Sequence, residues 1–343
     1  MAKIRLRNSK YIGDFKKPYF VAEINTSHFG DIDLAKKMID KAKSVGCDCV
    51  KFQSWSAETL YSKTYYDENP IAKRFVKKFS FSRNNLEVVS NYCKKVGIDF
   101  ASTPYSKDEV NFLVEQENVP YIKVASMDLN NYQYLRYIAK TGMPIILSTG
   151  MSELDEIRKA ISVIEKEKNQ NICLLHCISI YPPETSTISL NNILGLREEF
   201  PDYPIGYSDH SLGNEIAIAS VALGACMIEK HFTLDKKKIG MDNQMATEPD
   251  QMMQLINNCK EVQKALGSTK RVILSAELEQ RKTMRRSIVA TKDLNVGSKL
   301  TYDDLDVKRP GTGFPPEQID SLIGKTLTRK VAEDTLITKE DLD

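Results

Sequence analysis

The chain has 343 residues, 41% of them hydrophobic and 27% charged, proportions that exclude a disordered or fibrous protein and leave room for two domains. Its 48 Lys and Arg against 46 Asp and Glu give a net charge of +2, which supplies no basic footprint for a nucleic-acid or membrane partner. No run approaches the roughly 18 apolar residues of a membrane span, and the charged residues 1–7 lack the apolar stretch of a secretory leader.

Along the chain, short β-branched runs alternate with longer helical periodicities. Tyr19–Ile24 reads as strand one, followed by a helix over Asp31–Val45 and by strand two, Cys49–Trp55. Leu60–Ser80 comes next, a long insertion with Tyr61, Tyr65, Tyr66 and Phe75 among many lysines, suited to a lid or wall of a site. A helix over Asn84–Val96 leads to strand three, Asp99–Pro104. Strands four and five are Tyr121–Ser126 and Pro144–Gly150, then a helix spans Leu154–Lys166. Strands six and seven are Ile172–Ser179 and Pro204–Asp209, followed by a helix over Glu215–Ala225 and strand eight, Met227–Phe232. In a last helix, Asp250–Leu266, the residues Met253, Ile256, Val262 and Leu266 share a face.

Each return to a parallel neighbour needs a crossover, so this alternation calls for a parallel sheet. An open doubly wound sheet would accommodate it, but eight repeats favour closure into a (β/α)₈ TIM barrel. The alternation stops at Gly267. Residues 268–286 are polar and read as a linker. From 287 to 343 come short β pieces, the loop Gly311-Thr312-Gly313-Phe314-Pro315-Pro316 and a short helical patch. A module that small is marginal alone and is expected to lean on the barrel or on a partner subunit. The seven cysteines are scattered with no C-x-x-C pair, which speaks against zinc and for reduced, buried thiols in a cytoplasmic protein.

Barrel chemistry sits at the C-terminal ends of the strands. There the chain places Glu23 and His28, Lys51 and Gln53, Thr103, Lys123 with Ser126 and Asp128, Ser148, His176 and Tyr181, Ser208 with His210, and His231. Singly, each has an ordinary structural reading: a lysine stem can snorkel, and a serine can start a turn or cap a helix. Their coincidence says more. Lys51 and Lys123 are costly inside a barrel unless an anion meets them, and Thr103, Ser126, Ser148 and Ser208 offer it hydroxyl donors. His210 and His231, on adjacent strands, suit one divalent ion with water completing its shell. An anion pocket beside such a metal fits a phosphorylated acid reacting with a metal-polarised carbonyl.

In order along the chain, Lys51-x-Gln53, Ser102-Thr103-Pro104, Lys123-x-x-Ser126, Leu147-Ser148-Thr149-Gly150-Met151, His176-Cys177-x-x-x-Tyr181-Pro182, Gly206-x-Ser208-Asp209-His210 and Glu229-Lys230-His231-Phe232-Thr233 resemble the sialic acid synthase family of nonulosonate synthases. Lys308-Arg309-Pro310-Gly311 and Ile323-Gly324-Lys325 resemble the antifreeze-protein-like (SAF) domain of those enzymes. The resemblance implies condensation of phosphoenolpyruvate with the open aldehyde of a 2-acylamino sugar, releasing phosphate. It assigns phosphoenolpyruvate to Lys51, Thr103, Lys123, Ser126, Ser148 and Ser208, and Mn²⁺ or Mg²⁺ to His210 and His231. Glu23 becomes the base that activates water. Gln53, Asp128, Tyr181 and Asp242 become sugar contacts, with Arg309 reaching a neighbouring subunit's site in a domain-swapped homodimer.

Some positions depart from the family pattern. Glu-x-Gly-x-Asn-His-x-Gly becomes Glu23-x-Asn25-x-Ser27-His28-x-Gly30, a glutamate becomes Asp128, an asparagine becomes Ser179, and Gly-Pro-Asp becomes Gly240-Met241-Asp242. These departures cluster on the sugar side, leaving N-acetylmannosamine and a 2,4-diacetamido-6-deoxy hexose as alternatives. A phosphoenolpyruvate condensation onto a phosphorylated aldose, as in Kdo-8-phosphate or DAHP synthases, is the competing reaction and would need a second phosphate site. A barrel that only binds is the remaining, non-catalytic alternative.

Overall fold

The computed structural model describes residues 1–343, which divide into two compact units, Met1–Gly267 and Ser268–Asp343. In the first unit the expected strands are present: β1 Tyr19–Glu23, β2 Cys49–Ser54, β3 Asp99–Pro104, β4 Ile122–Val124, β5 Ile145–Ser148, β6 Ile172–His176, β7 Ile205–Asp209 and β8 Met227–His231. All are parallel, in the order β3-β2-β1-β8-β7-β6-β5-β4. β3 and β4 face each other across a seam without a backbone ladder, so the barrel is nearly closed.

The side-chain alternation of the strands explains both layers of the fold. Outward residues such as Phe20, Ala22, Val50, Phe52, Phe100, Ile145, Leu147 and Ile228 are buried under the helices in the main core. The inward face changes character along each strand. Tyr19 and Val21, Cys49, Ala101, Tyr121, Ile146, Cys173 and Leu175, and Met227 fill the lower barrel with apolar side chains. Two residues further on, the same face carries Glu23, Lys51, Thr103, Lys123, Ser148, Cys177 and Glu229. Gly206 is required in this stack: a Cβ there would lie 2.6 Å from Leu175 Cδ2 and 2.9 Å from the Met227 carbonyl oxygen.

A hairpin that the periodicity did not reveal, Lys3–Arg5 paired antiparallel with Tyr11–Gly13, plugs the lower end. Its Ile4, Leu6 and Ile12 join the lower-barrel cluster, each worth about 1.5–3 kcal/mol of burial. Arg7 N donates to the Pro120 carbonyl at 3.0 Å, and Asp14 Oδ1 accepts from Ile205 N at 3.0 Å. The insertion after β2 forms three helices, Ala57–Leu60, Lys63–Glu68 and Pro70–Phe79, around the small cluster of Trp55, Tyr66, Val76 and Phe79.

In the second unit, the interval read as a linker is not wholly irregular, because it contains a helix, Ser275–Met284. Strands Ser287–Ala290 and Leu305–Lys308 pair antiparallel over a core that includes Ile288, Leu294, Leu300, Leu305, Leu327 and Ile337. Two similar turns recur there. In Thr301/Asp304 and Thr338/Asp341, the carboxylate accepts from the backbone N–H and hydroxyl of a threonine three residues earlier. No helix of the chain is long and apolar enough to cross a membrane.

Candidate active site

A cavity of about 340 Å³ opens where the C-terminal ends of the barrel strands converge. Its lining includes Glu23, Lys51, Gln53, Thr103, Lys123, Ser126, Ser148, Tyr181, Ser208, His210, His231 and Asp242, twelve of the fourteen residues to which the resemblance gives a role. Asp128 is not among them. It lies in the turn Ser126–Asp128 after β4, where its Oδ1 accepts from Asn131 Nδ2 at 3.3 Å. The carboxylate therefore serves the start of the next helix. Arg309 belongs to the second unit and is exposed directly after the strand Leu305–Lys308.

Strand register assembles the floor. Glu23 pairs laterally with Lys51 on one side and with His231 on the other, and Ser208 pairs with Glu229. Lys51 Nζ forms an ion pair with Glu23 Oε2, donates to Thr103 Oγ1 at 3.1 Å and lies 3.8 Å from Glu229 Oε1. Lys123 Nζ donates to Ser148 Oγ at 2.6 Å and lies 3.7 Å from the same Glu229 oxygen, which also accepts from Ser208 Oγ at 3.1 Å. The anions that meet these lysines in the ligand-free protein are its own: two carboxylates and two ammonium groups form a buried chain, Glu23–Lys51–Glu229–Lys123. Glu229 was visible as part of a motif but had no role. Its partners become evident only once β8 is known to adjoin β1 and β7.

Burial sets the protonation states. It raises the Glu23 carboxyl to about 7, with Lys51 opposing the rise and Glu229 adding to it. Burial also opposes the charge on Glu229, but Lys123, Lys51 and His210 together hold that carboxyl below its ordinary value. Lys123 is lowered, chiefly by burial, while Glu229 and Glu23 overcome burial and raise Lys51. The chain therefore holds one firmly ionised carboxylate and one that changes state near neutrality.

Two aromatic rings and one amide shape the neighbouring wall. Gln53 Nε2 donates to Glu23 Oε1 at 3.1 Å, and Gln53 Oε1 accepts from Trp55 Nε1 at 2.8 Å and from the Tyr105 hydroxyl at 3.2 Å. Leu60 and Tyr61 of the insertion reach the cavity, as do Met127, Met151 and Met241.

The four histidines separate into two pairs. His28 stacks on Phe81 with ring centroids 3.8 Å apart, its Nδ1 accepts from Gly30 N at 3.0 Å, and burial lowers it to about 4. His176 bonds the Ile188 carbonyl at 2.8 Å. Both act within the scaffold. His210 and His231 face the cavity with ring centroids 5.6 Å apart, and Tyr181 lies 4.3 Å from the His210 ring. Burial lowers both, which favours the neutral imidazole that metal ligation needs. His210 Nδ1 lies 2.7 Å from the Ile178 carbonyl, which fixes it as the donor and leaves Nε2 with its lone pair. This donor set fits a divalent cation held by two nitrogens, the remaining ligands being water or substrate oxygen. No group of three or more His, Cys, Asp or Glu side chains offers a fuller cage.

Comparison with known proteins follows this geometry. Residues 38–271 match the NeuB family model and residues 285–343 match the SAF domain. The chain is 35% identical to human N-acetylneuraminate-9-phosphate synthase over 350 residues, covering 99% of this chain and 97% of that protein. It is 37% identical to the N,N'-diacetyllegionaminic acid synthase of Campylobacter jejuni over 335 residues, covering 94% and 99%. Among solved structures, the N-acetylneuraminic acid synthetase of Leptospira borgpetersenii superposes with a TM-score of 0.74 at 32% identity, covering 81% of this chain and 96% of that one.

Proposed function

Because the chain belongs to the NeuB family and carries its SAF domain, we propose that it joins phosphoenolpyruvate to the open aldehyde of a 2-acylamino sugar, yielding a nonulosonic acid and inorganic phosphate. The observation that carries this reading is the cavity floor: two buried lysines flanked by Thr103, Ser148 and Ser208, beside a pair of histidines whose burial favours the neutral form. Lys51, Lys123 and the hydroxyls, with Ser126, would seat the phosphate and carboxylate of phosphoenolpyruvate. A Mn²⁺ or Mg²⁺ ion on His210 and His231 would supply Lewis-acid polarisation of the aldehyde. Carbon three of phosphoenolpyruvate attacks the aldehyde carbon with the pair of its double bond, leaving carbon two electron-poor, and the aldehyde oxygen takes a proton from solvent to become a hydroxyl. Water adds at carbon two, and Glu23 accepts its proton. The tetrahedral adduct then breaks its carbon–oxygen bond, phosphate departing with the electron pair and taking up the proton of the carbon-two hydroxyl as the ketone forms.

Gln53, Tyr181 and Asp242 line the outer part of the same cavity and would meet the sugar. The lining contains no arginine, and its only lysines belong to the floor. Within one subunit that composition supports an uncharged sugar over a phosphorylated one, leaving Arg309 of a partner as the one cation offered to the sugar, and the three methionines suit acyl substituents. The seven cysteines form no disulfide, all are buried, and Cys173 and Cys226 remain thiols with sulfurs 3.5 Å apart. This supports a reducing, cytoplasmic setting.

The deciding experiment measures phosphate release and the mass of the acid formed. Phosphoenolpyruvate would be offered with N-acetylmannosamine, its 6-phosphate, a 2,4-diacetamido-6-deoxy hexose and arabinose 5-phosphate. Turnover with an unphosphorylated acylamino sugar is expected. Turnover confined to arabinose 5-phosphate would overturn the reading.

Glu23 gives a pH signature. Its carboxyl must be ionised to accept a proton, so kcat/KM should fall as pH drops below about 7. Glu23→Gln should lower kcat about 10²–10⁴-fold, with little change in KM, and erase that limb. Stability runs the other way. The folded state binds this proton more tightly than the unfolded state, so the contribution is complete below the unfolded value of 4.5 and disappears as pH rises through about 7.

We place Arg309 in a partner's site, in a homodimer that exchanges second units. Support comes from its exposed side chain and from the exposed methionines Met127, Met151 and Met241 that line the first unit's cavity. Arg309→Ala should raise the sugar KM. Mixed with Lys51→Ala subunits, it should recover activity, since heterodimers then hold one intact site; no recovery removes cross-subunit sharing.

A further inference from the structure

Asn25, in the turn after β1, has no part in the reaction scheme. It is 5% exposed, lines the cavity, and has a left-handed backbone with φ 44°. Asparagine is one of the few residues other than glycine that adopts this conformation readily. Its side-chain amide donates to Asp242 Oδ2. Asp242 lies in the stretch between β8 and the helix Pro249–Ala265.

That stretch is otherwise tied to itself and to β8. Asn243 Nδ2 donates to the Asp235 carbonyl at 2.8 Å and to the Lys238 carbonyl at 2.7 Å, and Thr247 N donates to the His231 carbonyl at 2.7 Å. Across the mouth, toward the turn after β1, the contacts are the packing of Phe29 beneath Gly240 and Lys238, and the Asn25–Asp242 hydrogen bond. Only the hydrogen bond acts on a polar group that faces the cavity. Burial works against an ionised Asp242, and the Asn25 amide opposes that effect.

We propose that Asn25 is a positioning residue: it latches Asp242 across the mouth before substrate arrives, occupying one carboxylate oxygen and leaving the other for the sugar. The latch stands on the geometry alone; naming the sugar as what Asp242 meets rests on the synthase reading. The latch also sets the reach of the Met241–Asp242 wall, so it controls the sugar end of the cavity and leaves the lysine floor untouched.

Asn25→Gly tests this without straining the backbone, because glycine adopts φ 44° freely. In the ligand-free protein, amide deuterium exchange across residues 233–248 should become faster in the variant. The sugar KM should rise about tenfold, the scale of one hydrogen bond to a charged group, with the phosphoenolpyruvate KM unchanged. In an Asp242→Ala background the same change should add nothing to the sugar KM, because the two residues act as a unit. Unchanged exchange and unchanged sugar KM in Asn25→Gly would overturn the latch, as would full additivity in the double variant. A wild-type protein that consumes no phosphoenolpyruvate with any acylamino sugar would instead sink the synthase reading, and the exchange measurement would still decide the latch.

Discussion

His231→Ala is expected to lower metal-dependent turnover about 10³-fold, the rate equivalent of the several kcal/mol that a Lewis acid contributes. The size follows from the donor set. The cavity offers a cation two imidazoles, and removing one leaves a single nitrogen. His231 is the cleaner site for this test. His210 Nδ1 donates to the Ile178 carbonyl, so His210→Ala also orphans a backbone acceptor at a cost of about 1–3 kcal/mol. Calorimetric titration with Mn²⁺ separates ligation from folding: the wild type should bind and His231→Ala should not, with the thermal midpoint of the metal-free proteins nearly equal. Undiminished turnover of the variant at saturating Mn²⁺ would remove the pair as ligands.

Lys51→Met should be the most destabilising change at the floor, by about 3–5 kcal/mol, because it strands Glu23 in a buried site without its cation, whereas Glu229 keeps Lys123. Phosphoenolpyruvate should no longer raise the thermal midpoint, since a ligand stabilises only the fold it binds. Lys51→Met/Glu23→Gln provides the control. It removes the stranded charge along with the lysine and should recover much of the lost stability, with the phosphoenolpyruvate effect still absent. A double variant as unstable as the single one would show that Lys51 serves as packing rather than as a counter-ion.

The barrel was legible in the sequence because its strands are separated by helices with clear apolar faces, and each inward strand face ends in polar residues. The hairpin was not. Its strands are three residues long: Ile4 stands between Lys3 and Arg5, and Ile12 between Tyr11 and Gly13, too short a pattern to show alternation. The candidate site was legible as residue types at strand ends, and eleven of the fourteen placed there line one cavity. What the sequence withheld was who pairs with whom. Glu229 answers both lysines only because the last strand closes onto the first. Asp128 was read as a sugar contact from a longer residue at its position, but its short side chain turns back to Asn131. Asn25 looked like a departure from a glycine, and φ 44° gives the physical reason both residues fit there.

The hairpin under the barrel also has a kinetic consequence. Ile4, Leu6 and Ile12 fill the lower end beneath the polar layer, so access to the lysine floor is expected from the C-terminal mouth, past Gln53, Tyr181 and Asp242. Whatever binds the lysines must pass the sugar-facing wall first and leave the same way. Steady-state kinetics should therefore follow a compulsory order, phosphoenolpyruvate before sugar on the way in and the long-chain acid before phosphate on the way out. Phosphate would then compete with phosphoenolpyruvate for the free enzyme.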